Sequence, residues 1–149
     1  MHCNSGNMKL WIFLLSLLFS SACLAQKVRP DDIVGTWVAA ENKAKIEIYR
    51  AGNTYHGKII WLKEPLKDGK PRIDKRNPNP NLRHTPIIGL VVLRNFVYDD
   101  GEWSAGEIYD PTSGKEYSCK ITMPNRNTLR VRGFIGISLL GRTEIWKRS

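Results

Sequence analysis

The chain has 149 residues, with 23 Lys+Arg against 14 Asp+Glu for a formal net charge of +9, and is 42% hydrophobic and 9% aromatic. This composition suits one globular domain and excludes a disordered chain, a collagen-like fibre and a multi-pass membrane protein. Three cysteines are too few for a disulfide-dense scaffold.

Lys9 precedes the apolar run Leu10-Trp11-Ile12-Phe13-Leu14-Leu15-Ser16-Leu17-Leu18-Phe19, and small residues follow as far as Ala25. A basic start, an apolar stretch of about 7–15 residues and a small-x-small end mark a secretory signal peptide. Residues 1–25 therefore read as a leader cleaved after Ala25, with Met8 as an alternative start, and 26–149 as a single exported domain, periplasmic or secreted. The run is shorter than the roughly 20 residues that a membrane-spanning helix needs, which leaves no transmembrane segment in the mature chain. Cys23 offers a second outcome, lipidation as the first residue, although Ser20 stands where such signals usually carry Leu. After cleavage Cys119 is the sole cysteine, so no internal disulfide can form.

Beyond the leader, period-two patterning dominates. Lys45-Ile46-Glu47-Ile48-Tyr49 alternates, as do Tyr117, Cys119, Ile121 and Met123 against Glu116, Ser118, Lys120 and Thr122. One apolar and one wet face is the signature of antiparallel sheet over a single core. Turn signals at Ala51-Gly52-Asn53, Asp99-Asp100-Gly101, Asp110-Pro111-Thr112-Ser113-Gly114 and Pro124-Asn125-Arg126-Asn127 separate the runs. The spacing predicts strands over 34–40, 43–50, 54–62, 87–96, 102–109, 115–123, 128–135 and 142–148. Eight meandering strands with short links predict an all-β fold, an up-and-down antiparallel β-barrel, because closure removes exposed edges. The glycine-punctuated run from Gly133 to Gly141 interrupts the pattern, and Leu139-Leu140 is expected near the barrel mouth.

The connection 63–86 has neither strand nor helix periodicity, and it holds five of the eight prolines and seven basic against three acidic residues. Loops this long inside a compact domain are usually functional or mobile.

Gly35-Thr36-Trp37 opens the first predicted strand, and Arg148 ends the last. In an up-and-down barrel these ends lie side by side, so Gly35, Trp37 and Arg148 form the expected closure, with a cation–π contact worth roughly 0.5–2 kcal/mol. This arrangement resembles the lipocalin and fatty-acid-binding superfamily, the calycins. A broader resemblance rests on Gly57-Lys58-Ile59-Ile60-Trp61-Leu62, Asp74-x-x-Asn77-Pro78, Leu82-Arg83-x-x-Pro86-Ile87-Ile88-Gly89, the Ile108–Tyr117 block and the Val131–Thr143 block. These are similar to the bacterial family called domain of unknown function 2147. That resemblance implies a small exported calycin-like barrel and supplies no catalytic residue.

The chemistry-bearing residues are sparse. His56 and His84 lie in different elements and Cys119 stands alone on an inward face, so no metal site and no cofactor is expected. Ser138, in Gly136-Ile137-Ser138-Leu139-Leu140-Gly141, misses the Gly-x-Ser-x-Gly elbow of serine hydrolases. Asp74, Asn77, Arg83 and His84 would converge if the long loop folds over a barrel end, with Arg83 forking onto a carboxylate or phosphate. The competing structural reading, which we favour, has Asp74 and Asn77 making turns and Arg83 pairing with Asp74 to pin the loop.

The basic residues beyond Pro124 suit anionic envelope surfaces, lipid head groups or acidic small molecules; ordinary solubility charge explains them equally. No nucleic-acid-binding signature is present. Three functions follow in order of preference. The first is a non-catalytic carrier of a small lipophilic or anionic ligand, with Trp61, Trp103, Tyr109 and Tyr117 lining the barrel and the long loop as a lid. The second is an interaction protein that meets the envelope through a basic surface without an internal ligand. The third is an enzyme that uses Asp74, Arg83 and His84.

Overall fold

Alternating side chains become alternating faces in the computed structural model, which describes residues 26–149. The leader, its cleavage after Ala25 and the role of Cys23 fall outside the described residues.

Eight strands form the sheet: β1 (Gly35–Val38), β2 (Ala44–Ala51), β3 (Thr54–Leu62), β6 (Val91–Asp99), β7 (Glu102–Asp110), β8 (Lys115–Asn125), β9 (Thr128–Phe134) and β10 (Gly141–Arg148). The short strands β4 (Leu66–Lys67) and β5 (Lys70–Pro71) pair as a separate hairpin within the long connection. The eight pair antiparallel in the closed order β1-β10-β9-β8-β7-β6-β3-β2. This is the barrel that the alternation predicts, and β1 and β10 close it, with Trp37 opposite Arg148 and Val38 opposite Lys147.

Most strand bounds shift by one or two residues from the sequence reading, and two of the differences have a local cause. The first strand stops at Val38 because Ala40–Asn42 turn into a short 3-10 segment. The strand predicted over 87–96 runs instead from Val91 to Asp99. Ile87–Leu90 belongs to the loop: the Ile87 N–H donates to the Arg72 carbonyl at 3.0 Å and the Gly89 N–H to the Ile59 carbonyl at 2.6 Å.

The up-and-down path gives the barrel two unlike ends. Tight turns at 52–53, 100–101 and 126–127 gather at one, which we call the floor. The loops 39–43, 63–90, 111–114 and 135–140 gather at the other, the mouth. Large side chains fill the floor half: Trp37, Ile48, Phe96, Trp103, Ile121 and Leu129 are all buried. Phe96 packs flat on Gly106, where any Cβ would run into its ring.

The segment before β1 plugs the floor from outside. Pro30–Ile33 forms a 3-10 turn whose exposed backbone carbonyls attract indole and phenol donors. Trp37 Nε1 donates to the Ile33 carbonyl at 2.8 Å, Trp103 Nε1 to Pro30 at 3.1 Å and the Tyr98 hydroxyl to Val28 at 2.6 Å. The Tyr55 hydroxyl donates to the Asp31 carboxylate at 2.6 Å, and the Asp32 carboxylate accepts the Arg29 N–H at 2.8 Å. Among the described residues no helix is long and apolar enough to cross a membrane.

Candidate functional site

Side-chain size changes along the barrel axis, and that change creates a cavity. Near the mouth the inward positions are occupied by Ile46, Ile59, Val92, Ile108, Val131 and Gly133 in place of the floor aromatics. These smaller groups cannot meet across an eight-stranded ring. A cavity of about 1630 Å³ opens there, counting the space between the mouth loops, and Tyr117 and Trp146 complete its wall. The barrel is thus filled in its lower half and open in its upper half.

The wall is apolar and the rim is charged. Eight Lys/Arg and five Asp/Glu stand among the lining residues. Lys43 pairs with Glu41, and Arg72 with Glu64 at 3.1 Å. Among the described residues, Lys63, Lys67, Lys70, Lys75, Arg76 and Arg142 have no carboxylate at ion-pair distance and Asp68 has no cation, so the rim presents six free cations against one free carboxylate. Asp110 and Glu144 are engaged locally, accepting from Ser113 Oγ at 2.7 Å and Trp146 Nε1 at 3.2 Å respectively.

The long loop forms one side of the mouth and is tied down by a buried carboxylate. Asp74 is fully buried; its Oδ1 accepts the Tyr109 hydroxyl at 2.8 Å and its Oδ2 accepts Asn77 Nδ2 at 2.8 Å. Its own N–H donates to the Thr85 carbonyl at 2.8 Å, joining the outgoing and returning arms of the loop. Burial, and then the hydrogen bond to Asp74, push the Tyr109 hydroxyl up to about 12, so it stays a neutral donor across the physiological range. With both carboxylate oxygens occupied by protein donors, Asp74 is an anchor and has no oxygen turned toward the cavity.

The sequence-predicted residues therefore divide. Asp74, Asn77 and Tyr109 come together, and Tyr109 and Tyr117 line the cavity. Arg83 does not pair with Asp74 as expected. It lies exposed, and its Nε donates to the Asn77 backbone carbonyl at 2.9 Å, with His84 exposed beside it. Trp61 and Trp103 do not line the cavity, and both placements are corrected. Trp103 sits in the floor against Tyr55 and Tyr98, held by Pro30. Trp61 faces outward, 41% exposed, with Lys45 Nζ 5.8 Å from its ring. The cause is a bulge: Ile46 pairs with Ile59 and Lys45 with Trp61, so Ile60 is an extra residue that reverses the alternation after Ile59. Leu62 takes the inward position instead and lines the cavity.

At the closure, Gly35 adopts φ 137°, and a Cβ there would stand 2.8 Å from Arg148 Nη1. Cys119 is buried, and burial pushes its thiol up to about 12. No group of three or more His, Cys, Asp or Glu side chains able to hold a metal ion occurs among the described residues.

A family model described as an uncharacterized protein conserved in bacteria, DUF2147, matches residues 35–148, the whole sheet from Gly35 in β1 to Arg148 in β10. The chain belongs to this family. No curated protein matches this DUF2147 chain. Among solved structures it is similar to protein HP1028 from the human pathogen Helicobacter pylori, which belongs to the lipocalin family. The TM-score is 0.69 at 22% identity, with 78% of this chain and 82% of that one covered. At that identity the likeness is one of fold: this DUF2147 barrel is lipocalin-like in architecture. The plug at Pro30–Ile33 has no signal in the sequence, whereas the loop 135–140 lies at the mouth, where the sequence places Leu139-Leu140.

Proposed function

We propose that this protein is an exported, non-catalytic carrier that holds one small amphipathic molecule, with the apolar part inside the barrel and an anionic group at the rim. The observation that carries the reading is the half-open barrel, an aliphatic cavity whose mouth is ringed by six cations free of ion pairs. Apolar walls with a few polar groups at one end are the usual anatomy of a small-molecule site. The lipocalin-like fold suits this role, since small barrels of this kind have room for one ligand. Export rests on the basic-apolar-small pattern of residues 1–25. The engaged oxygens of Asp74 make it a fastening of the 74–84 segment, which weighs against Asp74 as the general base of an enzyme there.

The test is uptake of a fluorescent long-chain fatty acid by protein purified without detergent, together with native mass spectrometry of the same material. Saturable uptake and a retained small molecule are expected. Gly133→Leu should reduce uptake tenfold or more, because a Cβ at Gly133 meets only Ile108 at 3.4 Å and Tyr117 at 3.7 Å, leaving the added side chain to occupy the cavity. Val131→Phe provides a second block. Absence of saturable uptake by the unmodified protein, or undiminished uptake by both folded variants, would overturn the proposal. N-terminal sequencing of the protein recovered outside the cytoplasm checks the leader.

A further inference from the structure

The loop between β9 and β10 carries four aliphatic side chains turned to solvent: Ile135, Ile137, Leu139 and Leu140 are 69%, 58%, 82% and 70% exposed. Scattered exposed aliphatics are ordinary, but a contiguous group on one loop marks an interaction surface. This loop is also internally built. The Ile137 N–H donates to the Ile135 carbonyl and the Leu140 N–H to the Ile137 carbonyl, both at 3.0 Å. Beneath it, Arg132 Nε donates to the Ser138 carbonyl at 2.6 Å, while Arg132 Nη1 donates to Thr143 Oγ1 at 2.8 Å. The backbone polar atoms are thus spent within the loop and on Arg132, and the aliphatic groups are left facing out.

The surroundings select the partner. Arg142 follows the loop directly, and Lys67 and Lys70 border the same mouth without ion-pair partners. An apolar projection with Arg142 beside it, on a mouth that carries Lys67 and Lys70 elsewhere on its rim, complements a surface whose interior is hydrocarbon and whose head groups are anionic. A second copy of the chain would bring the same cations face to face. We infer that the mouth of the barrel docks on an anionic lipid bilayer, Ile137 and Leu139 entering the acyl boundary and Arg142, Lys67 and Lys70 meeting the head groups. Docking in this orientation turns the cavity opening toward the lipid.

The inference stands apart from the ligand reading, because uptake is measured in solution and docking on vesicles, and neither Ile137 nor Leu139 lines the cavity. The experiment is co-sedimentation of the mature chain, residues 26–149, with vesicles of phosphatidylcholine alone or mixed with phosphatidylglycerol, at low and high salt. Hydrogen exchange over 135–140 is followed in the same samples. Binding should require phosphatidylglycerol, weaken with salt as surface electrostatics are screened, and slow exchange within that segment. The double variant Ile137→Ser/Leu139→Ser should bind at least tenfold more weakly while keeping fatty-acid uptake, and Arg142→Glu should weaken binding further at low salt. Equal binding by the double variant, unchanged exchange over 135–140, or indifference to phosphatidylglycerol would overturn the inference. So would a concentration-dependent dimer that the double variant abolishes, since the face would then belong to a second copy.

Discussion

The Arg148 guanidinium lies 4.1 Å from the centroid of the Trp37 ring, and the two residues are cross-strand partners where the barrel closes. The same guanidinium donates to the Asp32 carbonyl at 2.7 Å, the Arg126 carbonyl at 2.8 Å and the Val34 carbonyl at 3.3 Å. One side chain therefore ties the floor plug, the β8–β9 turn and the closing seam together. Arg148→Ala should cost about 2–4 kcal/mol, from the lost cation–π contact and three charge-assisted hydrogen bonds. Arg148→Lys should recover less than half, because a single ammonium cannot reach three divergent carbonyls. Urea unfolding of the three proteins measures both. A cost near zero for Arg148→Ala would show that strand pairing alone closes the ring.

Asp74 and Tyr109 supply a second expectation, at the other end. Tyr109→Phe should cost about 1–2 kcal/mol and Asp74→Ala about 2–3 kcal/mol, since the latter leaves both the phenol and the Asn77 amide without their acceptor. Asp74→Asn should cost nearly as much as Ala, because its amide has one acceptor oxygen where two donors converge. The double variant should cost less than the sum of the singles, with a coupling of about 1–2 kcal/mol. Strict additivity would mean that the loop is fastened elsewhere.

These two anchors differ in how far sequence exposes them. Trp37 and Arg148 sit at the first and last strands of a meander, so topology alone brings them together. Asp74 and Tyr109 belong to a loop without periodicity and a strand 35 residues later, and the sequence offers Arg83 as an equally charged partner for Asp74. The structure does not make that pairing: Arg83 stays exposed, with its Nε on the Asn77 carbonyl, while Asp74 is buried with its oxygens on Tyr109 and Asn77. Trp61 illustrates a different limit. Strict alternation from Tyr55, Gly57 and Ile59 puts it inside, and only the two-against-one pairing at Ile60 turns it out. A bulge costs little and leaves no mark in composition, so facing is legible up to the bulge and lost after it. Strand number, closure and the mouth loops are legible because they depend on many residues at once. Which half of the barrel is filled depends on side chains from every strand meeting on one axis.

Burial makes a thiol inert. Cys119 is buried on β8 between Gly106 and Gly133, and desolvation holds the thiol near 12, where almost no thiolate exists at neutral pH. The peptide containing Cys119 should remain unlabelled by iodoacetamide in the native protein and label fully in denaturant. Cys119→Ser should cost about 1–3 kcal/mol, since the hydroxyl enters an apolar setting. Rapid native labelling would mean that the barrel wall opens far more often than its packing implies.

Two buried phenols give the barrel an alkaline limit, and two carboxylates at the plug give it an acid one. Burial, with hydrogen bonds to Asp31 and Asp74, raises Tyr55 and Tyr109 to about 12 from 10.0. A group whose folded value is raised contributes fully below its unfolded value and loses that contribution as pH climbs to the folded one. Stability should therefore fall between about pH 10 and 12 as the phenols ionise. Asp31 moves the other way, lowered from 3.8 chiefly by the Tyr55 hydrogen bond, and Asp32 is lowered chiefly by the Arg29 N–H. Their contribution is present above 3.8 and is lost as pH falls through their depressed values. Urea midpoints measured across pH should form a plateau with both shoulders. The buried Cys119 thiol, raised from 9.0 to about 12, contributes with the same sign. The double variant Tyr55→Phe/Tyr109→Phe should therefore be less stable at neutral pH and show a smaller alkaline shoulder, and its spectrophotometric titration should lack the late-ionising phenols. An undiminished shoulder in that variant would remove Tyr55 and Tyr109 from this role.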